Sequence, residues 1–116
     1  MFLAQSRLAS ESKAVYNGGM DVVYRVQGNE FEWDDEKAQS NIVKHGVTVE
    51  EAVEVFFDPF YQPGDASVDD EQRDFVLGYS SALRLLLGMY TERGERTRII
   101  AARSATRHER KLDEES

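Results

Sequence analysis

The sequence predicts an α+β fold, and three observations carry the prediction. Paired runs of β-branched and aromatic residues are joined by short polar turns. Two central segments carry helix start signals, and each stops at a glycine or an Asp-Pro pair. The last third is strand-like and leads directly into a capping box. Strand runs come first, helices next, then strands again and one helix. Strands and helices are therefore grouped rather than alternating one by one.

Val22 to Gln27 is followed by Gly28-Asn29 and by Phe31-Glu32-Trp33, which predicts a β-hairpin. Asp34 is placed as an N-cap, with Asp35 and Glu36 where the helix dipole favours acids. That helix is expected to end at His45, with Gly46 as its C′ residue. Spacing puts Ala38 and Ile42 on a core face, and Lys37, Asn41, Lys44 and His45 on a polar one. Thr48 and Glu51 form a capping box with a Val47–Ala52 staple, opening a second helix that ends at Asp58-Pro59. Residues 60–72 are expected to give at most a short strand and an acidic loop. Runs at 73–80, 83–91 and 97–104 predict an antiparallel meander. Leu85-Leu86-Leu87 is apolar on both faces, as in a strand covered on both sides. Thr106 and Glu109 cap a terminal helix. Residues 1–19 are expected to form a tail or weak helix, and residues 20–116 a single domain.

The chain has 116 residues, no cysteine and a formal net charge of −8. Disulfides and thiolate metal sites are excluded, which fits a reducing, cytoplasmic setting. No apolar run reaches the roughly 18–20 residues of a membrane span, and the N-terminal apolar stretch is too short for a signal peptide. The charge is polarised. Between Glu50 and Asp74 there are nine acids against Arg73, whereas Arg93 to Lys111 holds seven Lys/Arg against Glu95 and Glu109. A basic face on an acidic molecule suits one anionic ligand better than nonspecific nucleic-acid binding.

Candidate chemistry gathers on that basic stretch. Strict strand alternation puts Arg98, Ile100 and Ala102 on one face and Ile99, Ala101 and Arg103 on the other. Arg103 and Arg107 can then meet the free amides at the start of the last helix, where guanidinium forks and N–H groups together suit phosphate. Alternatively these arginines pair with Glu92, Glu95 and Glu109 as a solvated surface. His45 and His108 are the only histidines and the natural acid–base groups near neutral pH. His45 shares its face with Lys37, Asn41 and Lys44. Glu92, beside Arg93, is a second candidate base. No metal-binding pattern, P-loop or nucleophile elbow occurs, so neither metal nor cofactor is expected.

Blocks of sequence resemble a known family. W-D-x-x-K-x-x-x-N-x-x-K-H-G-V (Trp33 to Val47), E-E-A with D-P (Glu50 to Pro59), T-E-R-G (Thr91 to Gly94) and R-I-I-x-A-R-x-A-T-x-x-E (Arg98 to Glu109) are similar to the BrnT toxins of type II toxin–antitoxin systems. The likeness covers Phe31 to about Glu114. It implies a small RelE-like fold and an endoribonuclease that cleaves mRNA and arrests translation. It also implies a BrnA-like antitoxin with a ribbon-helix-helix part, so that DNA is bound only through the antitoxin. Assembly as a dimer or toxin–antitoxin heterotetramer would follow. Carried over by motif, His45, Glu92, Arg98 and Arg103 are the catalytic candidates, and Lys44, Arg93 and Arg107 the substrate-binding ones; His108, a candidate from its residue type, is added to the latter. Ser104 stands where family members often carry a base. The other expectation is a module without chemistry, whose basic face docks an acidic antitoxin or other partner.

Overall fold

The structure, a computed structural model, describes residues 14–17 (backbone only), 21–65, 67 and 72–114. Strand β1 (Ala14–Asn17) opens it. The hairpin β2 (Asp21–Val26) and β3 (Asn29–Asp34) follows, then helices α1 (Asp35–His45) and α2 (Val49–Val55). Strands β4 (Gln62–Asp65), β5 (Asp74–Tyr79), β6 (Leu85–Arg93) and β7 (Arg96–Ser104) lead to helix α3 (Arg107–Glu114). All seven strands form one sheet in the order β1-β2-β3-β7-β6-β5-β4. The β2–β3 turn is Gln27-Gly28, both at positive φ (49° and 82°), the pair that a type I′ hairpin requires.

Hairpin and meander join through β3 and β7, which run parallel over Glu30–Arg96, Phe31–Thr97 and Glu32–Arg98. The two sequence-predicted units are thus one sheet. The expected tail or weak helix meets a strand at Ala14–Asn17, which pairs antiparallel with β2; residues 1–13 and 18–19 lie outside the described residues. So does most of the expected acidic loop, residues 66 and 68–71.

Helices α1 and α2 cover one face of the sheet. Their ends follow from local chemistry. Asp34 accepts the Lys37 amide (2.9 Å) at the start of α1, and Gly46 closes it in the left-handed conformation. Thr48 accepts the Glu51 amide (3.0 Å) at the start of α2. Between helices and sheet, Phe31, Trp33, Val53 and Ile99 form one buried cluster and Val47, Val55, Leu86 and Ala102 another. Leu77, Leu85 and Leu87 form a third cluster with Ala105 on the opposite face, so β6 is covered on both sides there, as its leucine run predicts.

Two expectations about side-chain direction are corrected. The core face of α1 is Ala38 and Asn41, while Ile42 is 40% exposed. Asn41 is buried because its carboxamide acts as a strand would. It accepts the Ala102 N–H (3.1 Å) and donates to the Ala102 (2.8 Å) and Val47 (2.9 Å) carbonyls. β3 pairs with β7 only as far as Arg98, and beyond that point this amide satisfies the free edge. The second correction concerns β7. Met89 pairs with Ala101 and Tyr90 with Ile99, so Ile100 is an extra residue, a β-bulge. Ile99 and Ala102 therefore face the helices together. Arg98 and Arg103, expected on opposite faces, share the other.

Candidate functional site

Arg96, Arg98 and Arg103 all project from the face of β7 opposite α1. At the start of the strand they meet carboxylates. Glu32, buried with a side chain 5% exposed, accepts from Arg98 (2.8 Å) and Arg96 (3.3 Å) and forms an ion pair with Arg93 (3.3 Å). Glu30 takes Arg96 (2.9 Å) and Arg25, whose guanidiniums hold its carboxyl below the usual range. Asp21 takes Arg98 (3.2 Å). Charge is nearly balanced, four arginines against three carboxylates. Such a network ties β2, β3, β6 and β7 together and leaves little positive potential for an RNA phosphate. Glu92 stands at this same end on the helix-covered face, where its carboxylate accepts the Thr97 hydroxyl (3.4 Å).

The other end of β7 differs. Asn41 anchors α1 at Ala102. His45 follows by one helical turn and so lies over the strand's C-terminal end. Arg84, just before β6, reaches the same corner. It donates to the Gly46 carbonyl (3.0 Å) and, through Nε, to Glu51 (2.9 Å). Arg84 holds the Glu51 carboxyl below its ordinary range, with help from the Ser80 hydroxyl. Glu51 is therefore spent on the β5–β6 turn and does not close its capping box.

α3 begins beyond β7 at this end. Its capping box is complete: Thr106 N–H donates to Glu109 (2.9 Å), and Glu109 N–H donates to the Thr106 hydroxyl (3.2 Å). Arg103 grips the same carboxylate with both terminal nitrogens, each at 2.9 Å. The bidentate contact lowers the Glu109 pKa and raises that of Arg103. Arg107 and His108 stand exposed in the first turn, beside amides that have no acceptor within the helix.

The sequence-predicted residues thus divide into two groups. Lys44 and His45 lie toward the end of the sheet where β7 finishes, on its α1 face; Arg103 lies at the same end on the opposite face, and Arg107 and His108 open α3 just beyond it. Glu92, Arg93 and Arg98 sit at the β6–β7 turn. Arg98 and Arg103 are five residues apart, on the order of 15 Å along a strand. A single pocket holding all of them does not form. Among the described residues, Lys44, His45, Arg107 and His108 make no ion pair. Two participants escaped sequence reading. Arg84 stood outside the arginine-rich stretch. Glu32 looked like a plain strand residue, although its place between Phe31 and Trp33 puts it on the opposite face from those core rings.

Comparison with known proteins decides the family. The family described as "Ribonuclease toxin, BrnT, of type II toxin-antitoxin system" matches residues 33–109. This protein belongs to the BrnT ribonuclease toxin family. Among solved structures, the ribonuclease toxin BrnT of Brucella abortus is similar at 25% identity and a TM-score of 0.51. The match covers 65% of this chain and 94% of that one. None of the curated proteins compared matches the sequence. As a BrnT-family member it is the ribonuclease toxin of a type II system, and such a system includes an antitoxin partner. The match spans both ends of β7, from the α1 N-cap region to Glu109, so family membership alone does not choose between them. Among the described residues, no helix is long and apolar enough to cross a membrane.

Proposed function

We propose that this BrnT-family toxin cleaves mRNA without a metal, at the end of the sheet where α1 meets the β5–β6 turn and α3 begins. One observation carries the choice of end. Lys44, His45, Arg107 and His108 are exposed there without ion pairs among the described residues, while the arginines at the far end are engaged by Glu30, Glu32 and Asp21.

His45 takes the proton of a ribose 2′-hydroxyl, and the oxygen attacks the adjacent phosphorus. The P–O5′ bond breaks, and His108 gives a proton to the departing 5′-oxygen. Arg107 and the first-turn amides of α3 meet the charge that builds on the phosphate oxygens. Lys44 holds the neighbouring backbone. Products end in a 2′,3′-cyclic phosphate and a 5′-hydroxyl. Incubation of RNA with the purified protein in EDTA tests this. Cleavage with cyclic ends is expected, and cleavage only on adding metal would reject it.

The partner is a BrnA-like antitoxin, and the complex, as a heterotetramer, reaches DNA through it. The toxin domain proper begins near Met20 and acts in the cytoplasm, where mRNA is. A second reading, a docking surface without chemistry, draws support from Arg103, whose fork already donates to a carboxylate. Arg103→Ala and His45→Ala separate the two. Loss of growth arrest with antitoxin binding kept favours the enzyme; joint loss favours the docking surface.

A further inference from the structure

At the far end of the sheet is a cavity of about 180 Å³. Phe31, Phe56 and Phe57 form its apolar wall, and Asn29, Glu30, Glu95 and Thr97 its rim. The rings brace one another: Phe31 lies 5.3 Å from Phe56 and 6.3 Å from Phe57, centroid to centroid. The rim is acidic. Glu95 has no ion-pair partner among the described residues, and just outside the lining Glu92 accepts the hydroxyl of Thr97. The RNA chemistry proposed above uses none of these groups.

Size and charge narrow the occupant. The volume is below the roughly 300 Å³ at which small-molecule sites begin, so it suits one side chain rather than a metabolite. A nucleotide would bring its phosphate against Glu95, which disfavours RNA. An aromatic wall beneath the unpaired Glu95 carboxylate favours a cation on a long apolar stem. We propose that this cavity takes a single cationic side chain, arginine above all, from a basic segment of a protein partner. A guanidinium there lies over the phenylalanine rings and pairs with Glu95, while its stem fills the apolar part. The net charge of −8 steers such a segment to the molecule. Bound here, it leaves the Lys44–His45 end uncovered.

The test is an amide chemical-shift titration of the full chain with N-acetyl-arginine-methylamide, beside its uncharged citrulline counterpart. The arginine probe should saturate on the order of 1 mM and perturb Asn29, Phe57, Glu95 and Thr97. Citrulline should bind at least about five-fold more weakly. Glu95→Lys, in an exposed turn, should weaken the arginine probe by a similar factor while RNA cleavage stays at the wild-type rate. No perturbation at these amides, equal binding of citrulline, or indifference to Glu95→Lys would overturn the proposal. So would perturbation of the same amides by a short single-stranded RNA, which would make the cavity a base pocket. Cleavage is measured separately, so failure here leaves the RNA reading standing.

Discussion

Replacing Asn41 by alanine should be the most damaging single change on α1. The carboxamide makes three buried hydrogen bonds, to both backbone groups of Ala102 and to the Val47 carbonyl. Alanine leaves the Ala102 N–H and two carbonyls without partners and opens a small void. An unsatisfied buried group costs about 1–3 kcal/mol. Carbonyls tolerate loss better than N–H groups, so the sum is about 2–4 kcal/mol. Total stability for a domain of this size is roughly 5–15 kcal/mol, and the melting temperature should fall by roughly 8–16 °C. Urea denaturation of Asn41→Ala beside Lys37→Ala, an exposed change one turn earlier, checks the magnitude. Amide exchange at Ala102 checks the cause, since its protection should collapse before that of Gly88 on the neighbouring strand. A stability loss under about 0.5 kcal/mol, the range of ordinary surface changes, would refute the view that this side chain replaces a strand.

Other predictions follow from the charged contacts. Glu109→Gln removes the carboxylate from Arg103, so α3 amides should exchange faster and single-stranded RNA should bind more tightly; unchanged RNA binding would show that Glu109 does not compete with phosphate. The Glu109 carboxyl has a lowered folded pKa, chiefly through Arg103. Its stabilisation is therefore fully present above the unfolded value near 4.5 and is lost as pH falls through the folded value. Protection of α3 should decline below about pH 4.5 in the wild type and show a weaker decline in Arg103→Ala. The double variant Lys44→Ala, Arg107→Ala should reduce the slope of log affinity for single-stranded RNA against log salt by about 1.4, or roughly 0.7 per lost phosphate contact. Arg84→Lys keeps the charge but cannot span Gly46 and Glu51 at once, so it should lower RNA cleavage while changing stability by less than about 1 kcal/mol.

Much of this fold is readable from local signals. Asp34, Gly46, Thr48 and Thr106 mark helix ends through chemistry that acts within four residues, and each does so in the structure. Longer-range pairing has no local signature. The parallel β3–β7 ladder joins segments 66 residues apart, and with it come the Glu30 and Glu32 partners of the arginines. A polar residue on an amphipathic helix reads as solvent-facing, which misplaced Asn41. It is inside because β7 needs a hydrogen-bonding partner beyond the reach of β3. The bulge at Ile100 breaks the period of two, and with it every face assignment downstream. The division of the site into two ends follows from that same sheet. The arginine-rich stretch is continuous in sequence, but its early members are neutralised by the hairpin, and its later ones lie at the strand's exit, where Arg103 holds Glu109 of α3.

The central claim is that RNA is cut at the Lys44–His45 end of the sheet. Cleavage of an unstructured RNA in EDTA by wild type, His45→Ala and Glu92→Gln tests it most directly. The account predicts a loss of about 100-fold or more in His45→Ala, with Glu92→Gln close to wild type. Full activity in His45→Ala, with Glu92→Gln inactive, would contradict it and move the chemistry to the β6–β7 turn.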